Sequence, residues 1–232
     1  NVQLGRDSGG ALTPVSAAAM APKSAPNPRF VGAAAGGTPA DLEWMGKALG
    51  NRPNPGFGIL AGTMIGLERE YPDRMNIYDR MRPEWKKRMR NGLKDSCVST
   101  MVASFSGQSM RTVFNNVDVY KQHREFKVVR ENSPLYYPLN PKMPLYFYHG
   151  NQDIAVPVAK LKQLAHRYCK AGTHVTLATM DLSEHLLVGF VGLPGALAWA
   201  QSRFAGLPAP NDFCEGREYN ILPLGQLKPS TK

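Results

Sequence analysis

Apolar runs bounded by glycine and proline alternate with alanine-rich or amphipathic stretches at both ends of the chain. Between them lies about a hundred residues without that alternation. Near the start, Val2-Gln3-Leu4 reads as no more than the end of a strand. An alanine-rich helix is predicted over residues 9–20, opening immediately after Ser8, with Pro14 making its first turn irregular and Pro22 stopping it. Residues 29–37 then read as a buried strand ending on small residues. Strand, turn, helix, loop and strand in that order form the repeating unit of a mostly parallel sheet.

From Asp41 to about Pro141 the pattern becomes helical or irregular and rich in Met, Arg and Gly. Ile77, Met81, Trp85, Met89 and Leu93 recur every four residues, and Pro83 starts a new helix within that stripe. Such a stripe is ordinarily a packed helix face; contact with lipid is the functional alternative. After Pro141 the sheet pattern resumes. Residues 144–148 are a β-prone run that breaks at Gly150, and 157–170 form a proline-started helix with Val158, Leu161, Ala165 and Tyr168 on one face and Gly172 past its end. Residues 174–180 read as a strand. A second proline-started helix spans 194–204, with Leu197, Ala200 and Phe204 toward the core. No element is assigned beyond Gly206. The expected organisation is an α/β core over 1–40 and 142–206, a helical insertion over 41–141, and an irregular tail over 207–232.

With 232 residues, 43% hydrophobic and 20% charged, the chain can bury one core, with or without an inserted subdomain. It carries no apolar run near the roughly 18 residues that a membrane-spanning helix needs, and no secretion leader opens it. Asn1 is not an initiator methionine and the first residues read as mid-strand, so the N-terminal part of a longer protein is expected to be missing. The net charge of +10 would suit nucleic acid only if the basic residues gathered on one face among aromatic or glycine motifs. They are spread out, and nucleic acid is not an expected partner. The densest patch, Lys86-Lys87-Arg88-Met89-Arg90, reads as a solvated helix face, with attraction to anionic lipid or fatty-acid carboxylates as the alternative. Of the three cysteines, Cys169 and Cys214 are the candidate disulfide, and Cys97 is left over. No pair of them has metal-ligand spacing, and neither metal nor cofactor is expected.

Two side chains fall where strands should hand over to loops. Asp153 follows His149-Gly150-Asn151-Gln152, and His185 lies 32 residues later in Ser183-Glu184-His185. A strand, a helix and a strand fit in that gap. An acid and a histidine in that order need a nucleophile upstream to complete the Ser, Asp, His sequence of α/β-hydrolases, and Asp7-Ser8-Gly9-Gly10 offers one. A nucleophile elbow wants tiny residues two before and two after the nucleophile. Gly5-Arg6-Asp7-Ser8-Gly9 meets that requirement with Asp7 as nucleophile, the arrangement of haloalkane dehalogenases and epoxide hydrolases. Arg6-Asp7-Ser8-Gly9-Gly10 places Ser8 there, with Gly10 suitable and Arg6 sterically wrong. A chymotrypsin-type serine motif is excluded, because its order needs histidine and aspartate upstream and only seven residues precede Ser8. With Ser8 as nucleophile, His185 is the general base, Asp153 orients it, and the Gly9 N–H is one oxyanion donor. The second donor comes from a loop that precedes the elbow in this fold, upstream of the given residues. His149 is expected to order the turn beside Gly150. His123, His166 and His174 fall on insertion, helix surface and strand edge.

Several blocks in order resemble the secretory lipase family, the fungal and actinobacterial secreted hydrolases of the lipase A type. They are Val31-Gly32-Ala33-Ala34-Ala35-Gly36-Gly37-Thr38-Pro39-Ala40-Asp41-Leu42, Gly66-Leu67 with Tyr71-Pro72 and Cys97, and His149-Gly150-Asn151-Gln152-Asp153. Glu184-His185, Gly192-Leu193-Pro194, Ala198-Trp199 and Arg203-Phe204 follow. The resemblance implies a secreted, cofactor-free α/β-hydrolase that cleaves carboxylic esters, including triacylglycerols, beneath a helical lid. Contact with a lipid interface is part of that expectation. Asp153 and His185 fall on the family's acid and base, Ser8 on its nucleophile when counted back from the Gly32 block, and Cys97 on a cysteine that pairs nearer the N-terminus. Arg6 departs from the family's glycine. The alternatives to a serine ester hydrolase are an Asp7-nucleophile epoxide or haloalkane hydrolase and a lipid-binding homologue without catalysis. Acyl-chain preference and oligomeric state have no signature in these residues.

Overall fold

A computed structural model describes residues 2–115, 123–181, 183–222 and 227–230. The strands are β1 (Val2–Asp7), β2 (Phe30–Gly36), β3 (Leu145–Gly150), β4 (Val175–Met180), β5 (Tyr219–Ile221) and β6 (Leu227–Pro229). The α-helices are α1 (Leu12–Ser24), α2 (Leu42–Gly50), α3 (Phe57–Glu70), α4 (Ile77–Arg80), α5 (Pro83–Arg90), α6 (Val98–Phe105), α7 (Met110–Val113), α8 (His123–Glu131), α9 (Val158–Lys170), α10 (His185–Val191) and α11 (Leu193–Phe204). The fold is that of an α/β-hydrolase with a helical insertion. Two compact units form, one from Asn1–Asp41 with Pro134–Lys232 and the other from Leu42–Ser133.

In the first unit the strands lie in the order β1-β2-β3-β4-β5-β6, parallel from β1 to β5 and antiparallel at β6. Parallel strands covered on both faces read as continuous small or apolar runs, which is why residues 33–35 are alanines and β3 is Leu-Tyr-Phe-Tyr. Alternate residues serve opposite faces. Ala33, Ala35, Leu145, Phe147, Val175 and Leu177 pack with Val15 and Ala18 of α1 and Leu161, Leu164 and Tyr168 of α9. Ala34, Tyr146, Tyr148 and Ala178 pack with Val188 of α10 and Ala196 and Trp199 of α11. Burial pushes the Tyr146 hydroxyl's pKa up, so the ring stays a neutral core residue.

Several expectations change here. β1 is a six-residue strand, not a strand end, because Gln3 to Asp7 pair with Gly32 to Gly36. The helix after Ser8 opens as a 3-10 turn, Ser8–Ala11, and continues through Pro22 to Ser24. Ala21 is buried beside that proline, and the Ala25 N–H closes on the Ala21 carbonyl at 2.9 Å. In α11 the core face is Gly195, Ala196, Trp199 and Arg203, while Leu197 and Phe204 are about half exposed. Trp199 decides the rotation: its ring lies against Tyr146 and so close to Gly32 that a methyl group there would sit 2.5 Å from it. Arg203 is tolerated inside because its guanidinium donates to Ser202 Oγ and the Pro208 carbonyl and lies over the Trp199 ring.

The residues past Gly206 were expected to be irregular, yet β5 and β6 extend the sheet. A three-residue strand paired to β4 through Tyr219 and Asn220 alone has too little pattern to read locally. Long-range ties hold this segment: the Cys169–Cys214 disulfide, the Phe213 N–H to the Val175 carbonyl, and the Lys162–Glu218 ion pair. The return from the insertion also belongs to this unit from Pro134 onward. Arg167 donates to the carbonyls of Leu135, Tyr137 and Leu139, Thr173 to that of Pro141, and the Leu135 N–H to that of Ala40.

The second unit holds α2 to α8. Its four-residue stripe is entirely buried, Ile77, Met81, Trp85, Met89 and Leu93 alike, so the packed-face reading holds and the stripe itself offers no lipid surface. Pro83 divides it into α4 and α5 by occupying the first turn of the latter. Trp85 stacks on Phe105 at 4.4 Å, and Arg88 covers that ring from its own helix. An apolar cavity of about 60 Å³ is lined by residues including Met45, Leu49, Met64, Met75 and Met110. α3 and α6 approach so closely that a β-carbon on Gly58 would lie 2.4 Å from the Val102 α-carbon and 2.9 Å from the Met101 and Val102 carbonyl oxygens. Backbone cannot step aside as a side chain can. Gly58→Ala is therefore expected to cost about 2 kcal/mol of stability or more, read as a lowered denaturation midpoint. An unchanged midpoint would show that the helices separate freely.

Candidate active site

β1 ends at Asp7, and the chain turns through Ser8 into the 3-10 turn that opens the first helix. Ser8 has φ 57°, the one left-handed non-glycine residue among those described. An L-residue holds that conformation at a cost of about 1–2 kcal/mol, and here the residue stands directly after a parallel strand, with its hydroxyl turned to His185. Arg6, expected to clash, fits. Gly10 has no side chain, and a methyl group there would meet Arg6 Cβ at an ordinary 3.5 Å. Asp7, the other candidate nucleophile, has extended backbone in β1, and its side chain lies outside the described part of the structure.

The three residues singled out from strand ends come together. Ser8 Oγ is 2.6 Å from His185 Nε2, and His185 Nδ1 is 2.5 Å from Asp153 Oδ2. The imidazole is slightly exposed and the carboxylate fully buried. Asp153 is held by its own turn, where Oδ1 accepts the N–H groups of Ala155 at 3.0 Å and Val156 at 2.8 Å. A buried carboxylate with both oxygens hydrogen-bonded is satisfied and directional. Its one task toward the imidazole is to accept a hydrogen bond from Nδ1–H, which leaves the Nε2 lone pair facing the serine hydroxyl.

His185 is placed from the neighbouring strand. β3 and β4 run parallel in register from Leu145–Val175 to Gly150–Met180, so their ends lie level and the loops carrying Asp153 and His185 start side by side. The Asn151 N–H donates to the Met180 carbonyl, the Gln152 N–H to the Ser183 carbonyl, and Asn151 Nδ2 to Asp181 at 2.6 Å. Ser183 crosses directly over Gly150, where a β-carbon would lie 2.5 Å from its carbonyl oxygen. Glu184 Oε1 then accepts the Leu187 N–H and caps α10, whose first residue is His185. Reading the sequence as a string gave Gly150 only the role of a strand break and Asn151 none. Their value lies in the close approach of two loops 30 residues apart.

The Gly9 N–H, the expected oxyanion donor, belongs to the first turn after Ser8, where amides have no acceptor within the helix. Of the other histidines, His166 is exposed against Phe213, His174 precedes β4, and His123 begins α8 with its side chain outside the described part. His149 is buried and donates from Nε2 to the Val156 carbonyl at 2.6 Å. Cys169 bonds Cys214, and Cys97 is a free, exposed thiol. Among the described residues no group of three or more His, Cys, Asp and Glu is arranged to hold a metal ion, and no helix is long and apolar enough to cross a membrane.

Residues 1–212 match the family model described as secretory lipase. Among curated relatives, Lipase 5 of Candida albicans is 31% identical over 208 residues, covering 86% of this chain and 44% of that protein. Lipase 4 of the same organism is 29% identical, with the same coverage. The chain thus spans less than half the length of these relatives. Among solved structures, Candida antarctica lipase A superposes with a TM-score of 0.77 at 20% identity, over 89% of this chain and 49% of that one. The rice cell wall degrading esterase LipA from Xanthomonas oryzae gives 0.63 at 15%, over 88% and 57%. At these identities the two structures speak for the fold.

Proposed function

The chain belongs to the secretory lipase family, and from that premise we propose that it carries the Ser8–His185–Asp153 catalytic centre of a carboxylic ester hydrolase. The observation that supports this most is the unbroken path from hydroxyl to imidazole to buried carboxylate, starting at a left-handed serine between β1 and the first helix. The left-handed position falls on Ser8, the elbow residue in the Ser8 register and one past it in the Asp7 register, which favours the serine.

Each step follows from the donors and acceptors present. His185 Nε2 takes the Ser8 proton as Oγ attacks the ester carbonyl, and Asp153 stabilises the imidazolium that forms. The Gly9 N–H faces the negative charge developing on the carbonyl oxygen. The imidazolium returns its proton to the departing alcohol, leaving an acyl-serine. Water, deprotonated by the same imidazole, releases the acid and restores Ser8. Lipid esters, triacylglycerols among them, are the proposed substrates, met at a lipid interface and outside the cell, in keeping with the family.

Diethyl p-nitrophenyl phosphate tests the reading in the protein that carries this chain. One equivalent of p-nitrophenol should be released, with diethylphosphate found on the peptide containing Ser8 and ester turnover lost in step. Label on another residue, or full inhibition without label on Ser8, would assign the nucleophile elsewhere.

A further inference from the structure

Asp153 is approached by two imidazoles. His185 Nδ1 meets Oδ2 from the solvent side, and His149 Nε2 lies 3.5 Å from the same oxygen from inside the sheet, with its side chain fully buried. The shorter contact of His149, 2.6 Å to the Val156 carbonyl, fixes Nε2 as a proton donor, because a carbonyl can only accept. That carbonyl belongs to the residue whose N–H donates to Asp153 Oδ1. The turn 153–156 is therefore closed at both ends. Its amides hold the carboxylate, and its last carbonyl is held by a side chain rooted in β3, where His149 pairs with Thr179 of β4.

We propose that His149 is a positioning residue for the hydrolytic reaction, fixing Asp153 through the Val156 carbonyl so that Oδ2 stays aimed at His185. The inference rests on the Ser8–His185–Asp153 reading above. An apolar residue in this slot would fill the space and drop the Val156 carbonyl, leaving a buried acceptor unsatisfied and the turn free to rotate. Small displacements of an orienting group reduce rate rather than substrate affinity. A misplacement near 1 Å is worth on the order of 100-fold. A side-chain amide long enough to span the same gap should restore the contact.

The test is ester turnover by His149→Leu and His149→Gln, each made alone and with Asp153→Asn. His149→Leu should lose about 10- to 100-fold in kcat with KM unchanged, and His149→Gln should recover most of it. In the Asp153→Asn background the same leucine substitution should cause little further loss, because the group it acts through is already gone. A merely structural role would give equal losses in both backgrounds, following the melting temperature, and that result overturns the proposal. So does wild-type kcat in His149→Leu. If His149→Leu does not fold, His149→Asn takes its place, since its amide is too short to reach the Val156 carbonyl, and the same outcomes apply. Failure of the underlying reading looks different: the wild-type protein itself would hydrolyse esters without labelling at Ser8, or not hydrolyse them at all.

Discussion

Replacing Ser8 with alanine should lower kcat for ester hydrolysis by on the order of 10⁶-fold, the scale seen when a triad nucleophile is removed. The loss should be as large with glycine, but stability should separate the two variants. Ser8 sits at φ 57°, a conformation that glycine adopts without strain and alanine does not. Ser8→Gly should therefore be more stable than Ser8→Ala by about 1 kcal/mol, read from denaturant midpoints on the two inactive proteins. Residual activity near wild type in either variant would remove Ser8 from the mechanism. Equal midpoints would instead argue that the turn relaxes once the hydroxyl is gone.

Asp153→Asn should cost about 10⁴-fold in kcat, and the direction of the effect is set by the turn. The Ala155 and Val156 N–H groups both donate to the Oδ1 position, so the asparagine oxygen must take it and the amide NH₂ must face His185. A donor there turns Nδ1 into an acceptor and moves the imidazole proton to Nε2, where it meets the serine hydroxyl instead of receiving its proton. The fold should be undisturbed, because every hydrogen bond except the reactive one survives. Measurement of kcat alongside the circular dichroism melt checks both halves. A loss of tenfold or less would show that the imidazole finds its tautomer without the carboxylate.

Ser8, Asp153 and His185 could be singled out from sequence because each marks a local event. A serine before two glycines and an alanine-rich helix marks a strand-to-helix turn, and Asp153 and His185 each lie just beyond a short apolar run. The face of α11 was misjudged because residue hydrophobicity favoured Leu197 and Phe204, whereas Trp199 had a glycine in β2 to pack against. The objection to Arg6 came from the elbow's need for a tiny residue two before the nucleophile, and from the family's glycine at that position. It dissolves because Arg6 sits in β1, where even a β-carbon at Gly10 would meet its Cβ only at an ordinary 3.5 Å. β5 and β6 were invisible because each is three residues long, too short for a period to show, and β5 joins the sheet through β4, a partner distant in sequence. His149 was read as ordering a turn, which it does. That the turn is the one holding the Asp153 carboxylate appears only when Val156 and Asp153 are seen together.

The hydrogen bond from Leu135 to Ala40 bears on how such a protein diversifies. The two ends of the α/β unit that flank the insertion meet as neighbours, and Leu42 and Ser133 close the other side of the junction in the same way, through the Leu42 N–H and Ser133 Oγ. A segment whose ends already meet can lengthen, shorten or be exchanged with little loop-closure penalty, since that penalty grows only slowly with length. The sheet can then keep its strand spacing while selection rewrites the inserted helices.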